Sequence, residues 1–442
     1  MNALREAPIA VPWLGILRAD WPLVPLRYLV RFLSGGTPDK GNADFWSGGT
    51  IPWVSPKDMK VDRINDSEDH ITVAALDGSA TQLVPVGSVL VVVRGMILAH
   101  TLPVAVTTGP VTINQDIKAL VCGQPILPEF LHAVLAGQAE WLLSQADSSA
   151  HGTKKLETEV LQRFEVPCPP LDLQRRIIAA MRAQAMGLDE VVAAKQRVLD
   201  LLAEKRKAII ATAVTRGLDP KVKLRDSGVP WLGVTPAHWE LWKVGHLAKV
   251  GNGSTPERDK VAYWSEGSFP WLNSSVVNQE EVTSSDQFVT DAALRECHLP
   301  RLRPGTVLVA ITGQGKTRGQ AVVLSIEATI NQHMAFVAPD PALVDAWFLR
   351  WSFYRAYDYL RSISDDAGGT KGALTCEDVA GLRIPVPPPD EQRTIVEHIA
   401  RETAQLDAVR AATERTIALL KERRSALIAA AVTGQLDVGA AA

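Results

Sequence analysis

Pro12-Trp13-Leu14-Gly15 returns as Pro230-Trp231-Leu232-Gly233, 218 residues later, and that offset carries most of the chain. Trp21 returns as Trp239, Thr37-Pro38 as Thr255-Pro256, Phe45-Trp46 as Tyr263-Trp264, Pro52-Trp53 as Pro270-Trp271 and Gly87 as Gly305. Asn114-Gln115 answers to Asn331-Gln332, and Gly152-Thr153-Lys154 to Gly369-Thr370-Lys371, one residue out of step. The first offset is back at Pro167 and Pro385 and holds to Leu218-Asp219 and Leu436-Asp437. Such a period is far longer than the roughly 20–50 residues of a solenoid repeat. Each copy is large enough for a domain plus a connector, which predicts a pseudo-twofold protein.

Each copy has two textures. Residues 20–165 and 238–383 are rich in Gly, Pro, Trp and β-branched residues. Gly87-Ser88-Val89-Leu90-Val91-Val92-Val93 and Gly305-Thr306-Val307-Leu308-Val309-Ala310-Ile311 are unbroken apolar runs bounded by turn residues. Such runs predict strands buried on both faces. Helical patterns follow at Glu129 to Gln145 and Val344 to Arg361, so each region is expected to be mixed α/β. The second texture is long helix. Leu171 to Val214 holds no proline and one internal glycine, Gly187. Its apolar stripe falls at Ile177, Met181, Leu188, Val191, Val198, Leu202 and Ile209; the second copy places Ile395, Ile399, Leu406, Val409, Leu420 and Leu427. Steps of three, four and seven mark a coiled-coil seam, and the partner at hand is the helix of the other copy. Proline-rich lead-ins (Val166-Pro167-Cys168-Pro169-Pro170 and Ile384-Pro385-Val386-Pro387-Pro388-Pro389) precede Asp172 and Asp390, acids suited to a helix N-terminus. Gly217 and Gly434 stand where each helix should stop. The expected domains are residues 1–170, a connector helix 171–216, a second domain 217–389, and a helix and tail 390–442.

Composition narrows the function. With 46% hydrophobic and 21% charged residues, the chain is ordinary globular material. Eight of the 12 tryptophans are repeat pairs, which favours a core role. Cys122, Cys168, Cys297 and Cys376 are scattered and form no CxxC pair, so neither a zinc site nor a disulfide framework is indicated. The nine histidines show no metal-ligand spacing. Met1 to Val11 lacks a basic start followed by an apolar run, and no apolar stretch is long enough to span a bilayer. A cytoplasmic protein without membrane contact is expected. Gln314-Gly315-Lys316-Thr317 imitates the end of a phosphate-binding loop, but Ala310 stands where that loop needs its first glycine. No Asn/Asp-Pro-Pro-aromatic motif of an amino-methyltransferase is present. The chain is therefore expected to be non-catalytic.

The ordered set of motifs, present twice, resembles the DNA-specificity subunit of type I restriction-modification enzymes. The features are the Trp-Leu-Gly opening, a strand ending in Arg94-Gly95, the Asn-Gln pair and the Gly-Thr-Lys turn. Pro387-Pro388-Pro389-Asp390-Glu391-Gln392-Arg393-Thr394-Ile395 then leads to a helix closing at Ala431-Val432-Thr433-Gly434. Lys223 to Gly233 resembles the usual opening of a recognition domain. Leu173, where the family commonly has Glu, and Thr312-Gly313 in place of an Arg-Gly turn are departures. The resemblance implies two mixed α/β target-recognition domains separated by two long antiparallel helices acting as a ruler. It implies that each domain reads half of a split site in double-stranded DNA. Two modification subunits would methylate adenine using S-adenosylmethionine. A motor-nuclease subunit, where present, would use ATP and magnesium, and this chain would bind no cofactor itself. The alternatives are a specificity subunit of a methylation-only or other anti-phage system, and a repeat scaffold that bridges protein partners without DNA.

A net charge of −3 is unusual for a lone DNA binder, whose affinity comes largely from phosphate neutralisation, and suits a subunit whose partners complete the clamp. Local basic turns supply the candidates for DNA contact: Lys57, Arg94, His151, Lys154 and Lys155 in the first copy, and Gln314, Lys316, Arg318 and Lys371 in the second. Glycine-flanked turns approach a backbone closely, and Arg, Lys and Gln read base edges. Asn114-Gln115 and Asn331-Gln332 recur in both copies, which favours a structural role. Discrimination is expected where the copies differ, as at Arg94 against Thr312.

Overall fold

The computed structural model describes residues 9–11, 15–17, 20–148, 153–313, 316–365 and 372–436. The chain divides into two compact units, residues 1–196 with 414–442, and residues 197–413. The sequence reading cut the long helices away as separate connectors. In the structure each unit instead keeps one end of both helices, because those ends are part of its core.

The first unit is built on a five-stranded sheet in the order Val30–Ser34, Ile117–Cys122, Ser88–Val92, Val104–Thr107, Arg63–Ile64. Its neighbours are antiparallel except the last pair. Every side chain of Ser88–Val92 is buried, as the unbroken β-branched run predicts. Burial contributes roughly 1.5–3 kcal/mol for each such aliphatic side chain. The helix Pro128–Gly137 lies against these strands through Phe130, Leu131, Val134 and Leu135. The helical pattern expected through Gln145 breaks at Gln138 and resumes as Ala139–Ser144. Gly137 sits at the break, where a glycine weakens a helix. Smaller sheets pair Thr112–Ile113, Ile51–Val54 and Asp69–Ile71, and separately Asp147–Ser148, Lys154–Lys155 and Arg94–Gly95.

The second unit repeats the plan. Its sheet runs Ala248–Asn252, Met334–Pro339, Val307–Ala310, Ala321–Leu324, Glu281–Val282. The helix Ala346–Asp365 covers it with Phe348, Leu349, Phe353 and Leu360. Trp21 and Trp239 are buried at equivalent places, as are Trp53 and Trp271.

The first long helix is Leu171–Arg216, unbroken at Gly187, and the second is Pro389–Val432. Both end on glycines in the left-handed region, Gly217 at φ 74° and Gly434 at φ 76°. At the start of each, a buried glutamine bonds three backbone groups. Gln174 Oε1 accepts from Leu127 N at 2.9 Å, and its Nε2 donates to Pro125 O at 2.9 Å and Pro169 O at 2.8 Å. Gln392 does the same with Asp345 N at 2.8 Å and with Leu343 O and Pro387 O, both at 2.9 Å. In the first unit the core takes in Ile177 together with Ala431 and Val432. In the second it takes in Ile210, Ala213 and Val214 together with Ile395 and Ile399. An early residue of one helix thus meets a late residue of the other, so the helices run antiparallel within each unit.

The seam between the helices differs from the expected stripe. Met181, Leu188, Leu202, Ile209, Leu420 and Leu427 are half-buried, and Leu406 is buried. Ile177, Ile395 and Ile399 belong to the domain cores. Val191, Val198 and Val409 are 44%, 38% and 49% exposed, so they are not seam residues. The half-buried positions lie one residue later, at Val192 and Leu199, and a continuous 4-3 alternation connects Met181, Ala185, Leu188, Val192, Lys195, Leu199, Leu202, Arg206 and Ile209. The second helix buries Thr403, Thr413 and Ile417 as well. Thr403 and Thr413 satisfy their hydroxyls on the carbonyls of Ile399 and Val409, each at 2.8 Å.

Candidate nucleic-acid interface

In each unit the sheet register brings three loops to one end. In the first unit Ser34 pairs with Lys118, and Val92 with Ile117. The loops leaving Ser34 and Val92 and the loop entering Ile117 therefore share an edge. Arg94 and Lys155 are cross-strand partners there, as are Gly95 and Lys154. In the second unit Asn252 pairs with Ala335 and Ala310 with Met334, and a bridge joins Thr312 to Ala373.

The same frame holds both clusters. Gly35 and Gly253 are required by close approach, since a Cβ would collide with Asn114 O or Ile330 O. Thr37 donates to Gln115 Oε1, and Thr255 to Gln332 Oε1. Asn114 Oδ1 accepts from Asp116 N, and Asn331 Oδ1 from His333 N, both at 3.0 Å. Both Asn-Gln pairs thus close equivalent turns. Two indole N–H groups pin the leading loop of each copy: Trp53 to Gly36 O at 2.9 Å and Trp46 to Asp39 O at 3.0 Å, then Trp271 to Ser254 O at 3.2 Å and Trp264 to Glu257 O at 3.0 Å. An exposed cation stands over the tryptophans in both. Lys40 Nζ lies 5.9 Å from the Trp53 ring, and the Arg258 guanidinium 4.2 Å from Trp264 and 4.7 Å from Trp271.

On this frame the copies differ. Arg94 Nε donates to Asp116 Oδ1 at 2.7 Å. Among the described residues no hydrogen bond engages its two terminal nitrogens, which suits a bidentate contact to a base edge or phosphate. The matching pair in the second unit is Thr312 Oγ1 with His333 Nδ1 at 2.8 Å. Lys154 is half-buried, and Lys155 is exposed with Glu157 at 2.7 Å. Lys118, with Nζ on Ser34 Oγ at 2.7 Å, joins the first cluster.

Two candidates stand apart. Lys57 has two carboxylate partners, Glu68 at 3.1 Å and Asp69 at 3.0 Å, and its hydrogen bonds to them raise its pKa. Its charge is already balanced within the protein. Arg318 is buried, with Nη1 donating to Gly372 O at 2.5 Å and Nη2 paired with Asp365. It fastens a turn and offers nothing to a ligand, so its assignment to DNA contact is corrected. Lys316 is exposed, while its carbonyl accepts from Gln320 Nε2 and the Tyr357 hydroxyl. His151, Gln314 and Lys371 lie outside the described residues. Lys40, Arg258, Asp116 and His333 were missed. Lys40 and Arg258 are both basic and 218 apart, a signal available from the aligned repeats.

The family model for the type I restriction modification DNA specificity domain matches the chain twice, over residues 19–184 and 236–414. The chain belongs to the type I restriction-modification DNA-specificity family. It is a DNA-recognition subunit, and the repeat-scaffold reading is not favoured. Among relatives, the specificity subunit of the EcoR124I/EcoR124II type I restriction enzyme of Escherichia coli is 36% identical over 148 residues, 34% of this chain and 37% of that one. The MjaIX specificity subunit of Methanocaldococcus jannaschii is 21% identical over 438 residues, 96% of this chain and 95% of that one. Fold similarity extends to a solved chain from work on complex assembly and conformational transition of the type I R-M system. Its TM-score is 0.70 at 19% identity, covering 95% of this chain and 99% of that one. The HsdS subunit from Thermoanaerobacter tengcongensis matches with TM-score 0.50 at 17% identity, over 95% and 98% of the two chains. The matched segment spans little more than a third of the E. coli relative's length but nearly all of the archaeal one.

Burial pushes the Cys122 thiol up to about 12 and raises Cys168 and Cys376, which disfavours the thiolate a nucleophile needs. Among the described residues no group of His, Cys, Asp or Glu is arranged to hold a metal ion. No described helix is long and apolar enough to cross a membrane.

Proposed function

We propose that each unit reads one half of a bipartite double-stranded DNA site through the loop cluster at the end of its main sheet. Arg94 with Asp116, Lys154 and Lys155 serve the first half-site, and Thr312 with His333 and Lys316 the second. Lys40 and Arg258, exposed above tryptophans, contact the phosphate backbone. The carrying observation is that one frame recurs in both units while the side chains it presents, Arg94–Asp116 against Thr312–His333, differ. Recognition of two different sequences by one fold requires that combination.

The partners in this reading are two DNA-adenine methyltransferase subunits, which bind S-adenosylmethionine and supply the chemistry. A motor-nuclease subunit using ATP and magnesium joins where the system has one, and the complex works in the cytoplasm. Exposed apolar residues on the long helices support two equivalent docking faces. Val191 and Leu419 belong to the first unit, and their repeat equivalents Val409 and Leu201 to the second. Apolar side chains left in water at matching positions suit two copies of one partner.

Methylome sequencing tests the proposal. Exchanging residues 20–165 for those of a relative should change one half of the methylated motif and leave the other half and the spacer unchanged. A single continuous motif, or both halves changing together, would refute it.

A further inference from the structure

Each unit contains one arginine that joins three elements at once. In the second unit Arg206, on the first long helix, donates from Nη1 to Asp407 Oδ2 on the second long helix at 2.8 Å. Its Nη2 pairs with Glu280, beside the edge strand of the recognition domain. In the first unit Arg424, on the second long helix, has Nε 3.2 Å from Asp189 Oδ1 on the first, an ion pair by distance. Its Nη2 stands 3.5 Å from Asp62 of the recognition domain. All three positions correspond under the repeat: Arg206 with Arg424, Asp407 with Asp189, Glu280 with Asp62. Both arginines occupy the seam, and their side chains are 18% and 35% exposed.

We propose that Arg206 and Arg424 are positioning residues that set the angle of each recognition domain on the helix pair, and thereby the spacer length the protein accepts. The inference rests on the bipartite reading above. Each domain is already anchored to the helix ends by its core, through Ala213 and Val214 in the second unit and Ala431 and Val432 in the first. The same cores also hold Ile177 in the first unit and Ile210, Ile395 and Ile399 in the second, and Gln174 and Gln392 tie the helix starts to the domains. The arginine adds a polar attachment eight residues before Val214 or Val432, about 12 Å along the helix at 1.5 Å per residue, and an attachment that far from those anchors resists a swing of the domain about them. A planar guanidinium holds two carboxylates in different directions together, whereas an ammonium is a point charge. The consequence is a matter of leverage. With a lever of roughly 25 Å, a domain's breadth at this size, a pivot of about 10° moves the reading loops by about 4 Å. That exceeds the ~3.4 Å step between base pairs. Losing the pin therefore leaves the bases read unchanged and blurs the distance between half-sites.

The second unit reinforces its pin. Arg350 brings Nη2 to 3.8 Å from Glu280 and stacks its guanidinium 3.8 Å over Trp351, with Arg206 6.0 Å from the same ring. The first unit has His132 at the position of Arg350, bonded to Val104 O at 3.1 Å. Release of Arg206 should thus have the larger effect.

The test uses the assembled methyltransferase. Methylomes are compared for wild type, Arg206→Ala, Glu280→Gln and Asp407→Asn, alongside binding to duplexes whose spacer is correct, one pair shorter or one longer. Arg206→Ala and Glu280→Gln should raise methylation at off-by-one spacers about tenfold with both half-site sequences intact. Asp407→Asn, which spares the bond to the domain, should keep the wild-type spacer. Uniformly lower methylation without new spacers, or loosened spacing in Asp407→Asn alone, would overturn the inference. If a variant assembles poorly, the ratio of binding between spacers still reads the effect, because reduced folding lowers all duplexes alike. A wild-type methylome without a bipartite motif would remove the reading beneath it.

Discussion

Replacing Gln392 by leucine removes one side chain that holds three backbone groups. Gln392 is 1% exposed and bonds Asp345 N, Leu343 O and Pro387 O at 2.8–2.9 Å. It fastens the second long helix to the turn that starts the helix Ala346–Asp365. Leucine has nearly the same volume, so packing loss is small and the cost is the stranding of one donor and two acceptors. Each buried group left unpaired costs about 1–3 kcal/mol. A cavity of about 550 Å³ lined by Leu343, Asp345, Pro389 and Gln392 lets water reach the Leu343 and Asp345 groups, which brings the total toward the low end of that range. The expected loss is about 3 kcal/mol, or roughly a hundredfold in local opening. Hydrogen exchange of amides 348–353 should accelerate by that factor. Gln174→Leu should produce a similar but smaller change around residues 128–135, because it strands Leu127 N and Pro169 O while Pro125 O keeps the Cys168 Sγ donor at 3.3 Å. Changes below about fivefold in both variants would show that these bonds do not hold the helices to the domains.

Arg94→Ala should cost about 1–3 kcal/mol at one base position if the guanidinium reads a base, and weaken all sites alike if it touches phosphate. Asp116→Ala, which frees Arg94 to rotate, should reproduce much of that loss; binding to single-base variants decides, and an unchanged Asp116→Ala profile would show that the bond aims nothing. Burial lowers the pKa of His132 against the Val104 O bond and Asp62, which raise it, with Arg424 and Arg63 also lowering it. The folded first unit therefore favours neutral imidazole, and the stability this contributes is present above the unfolded value of about 6.5 and lost as pH falls through the depressed folded value. Melting followed from pH 7.5 to 5 should show that loss, and His132→Leu should abolish it; an identical pH dependence in both proteins would refute the assignment. Leu202→Asp puts a charge into a half-buried seam and should cost about 2 kcal/mol, read as a lower melting temperature of the second unit and weaker copurification with the proposed methyltransferase partner. Normal melting and assembly would mean that the seam does not hold the helices together.

The architecture was legible because its signals are local. A run such as Val89 to Val92 specifies a buried strand by itself, and the proline-free stretch after Pro170 specifies a helix that runs to Arg216. The seam was legible in period but not in register. Val191 beside Val192, and Val198 beside Leu199, give apolar residues at adjacent positions, and periodicity alone does not choose between them. Polar seam residues, Lys195, Arg206, Thr403 and Thr413, hid the true alternation further. The site was harder because its partners are remote. Nothing near Arg318 announces Asp365, so a buried structural arginine in a glycine-rich turn read as a free one. Lys57 misled in the same way, since two carboxylates at Glu68 and Asp69 cancel a charge that composition counts as available.

What repeats and what varies separate cleanly once both units are compared. The glutamines Gln174 and Gln392, the turns closed by Asn114 and Asn331 and the tryptophan-pinned loops make the same bonds in both, and the arginines Arg424 and Arg206 pair with carboxylates at matching positions. None needs to discriminate a base, and each fixes backbone or orientation. The differing pair, Arg94–Asp116 against Thr312–His333, lies where strand ends converge and the flanking backbone is already fixed. A substitution there alters the groups presented without reorganising a core, so its stability cost stays near that of a surface change, within about 0.5 kcal/mol. A substitution in the frame costs several times more and shifts every reading side chain together. On the proposed reading, specificity is free to change one contact at a time, whereas spacing changes only through the helices and the side chains that fasten the domains to them.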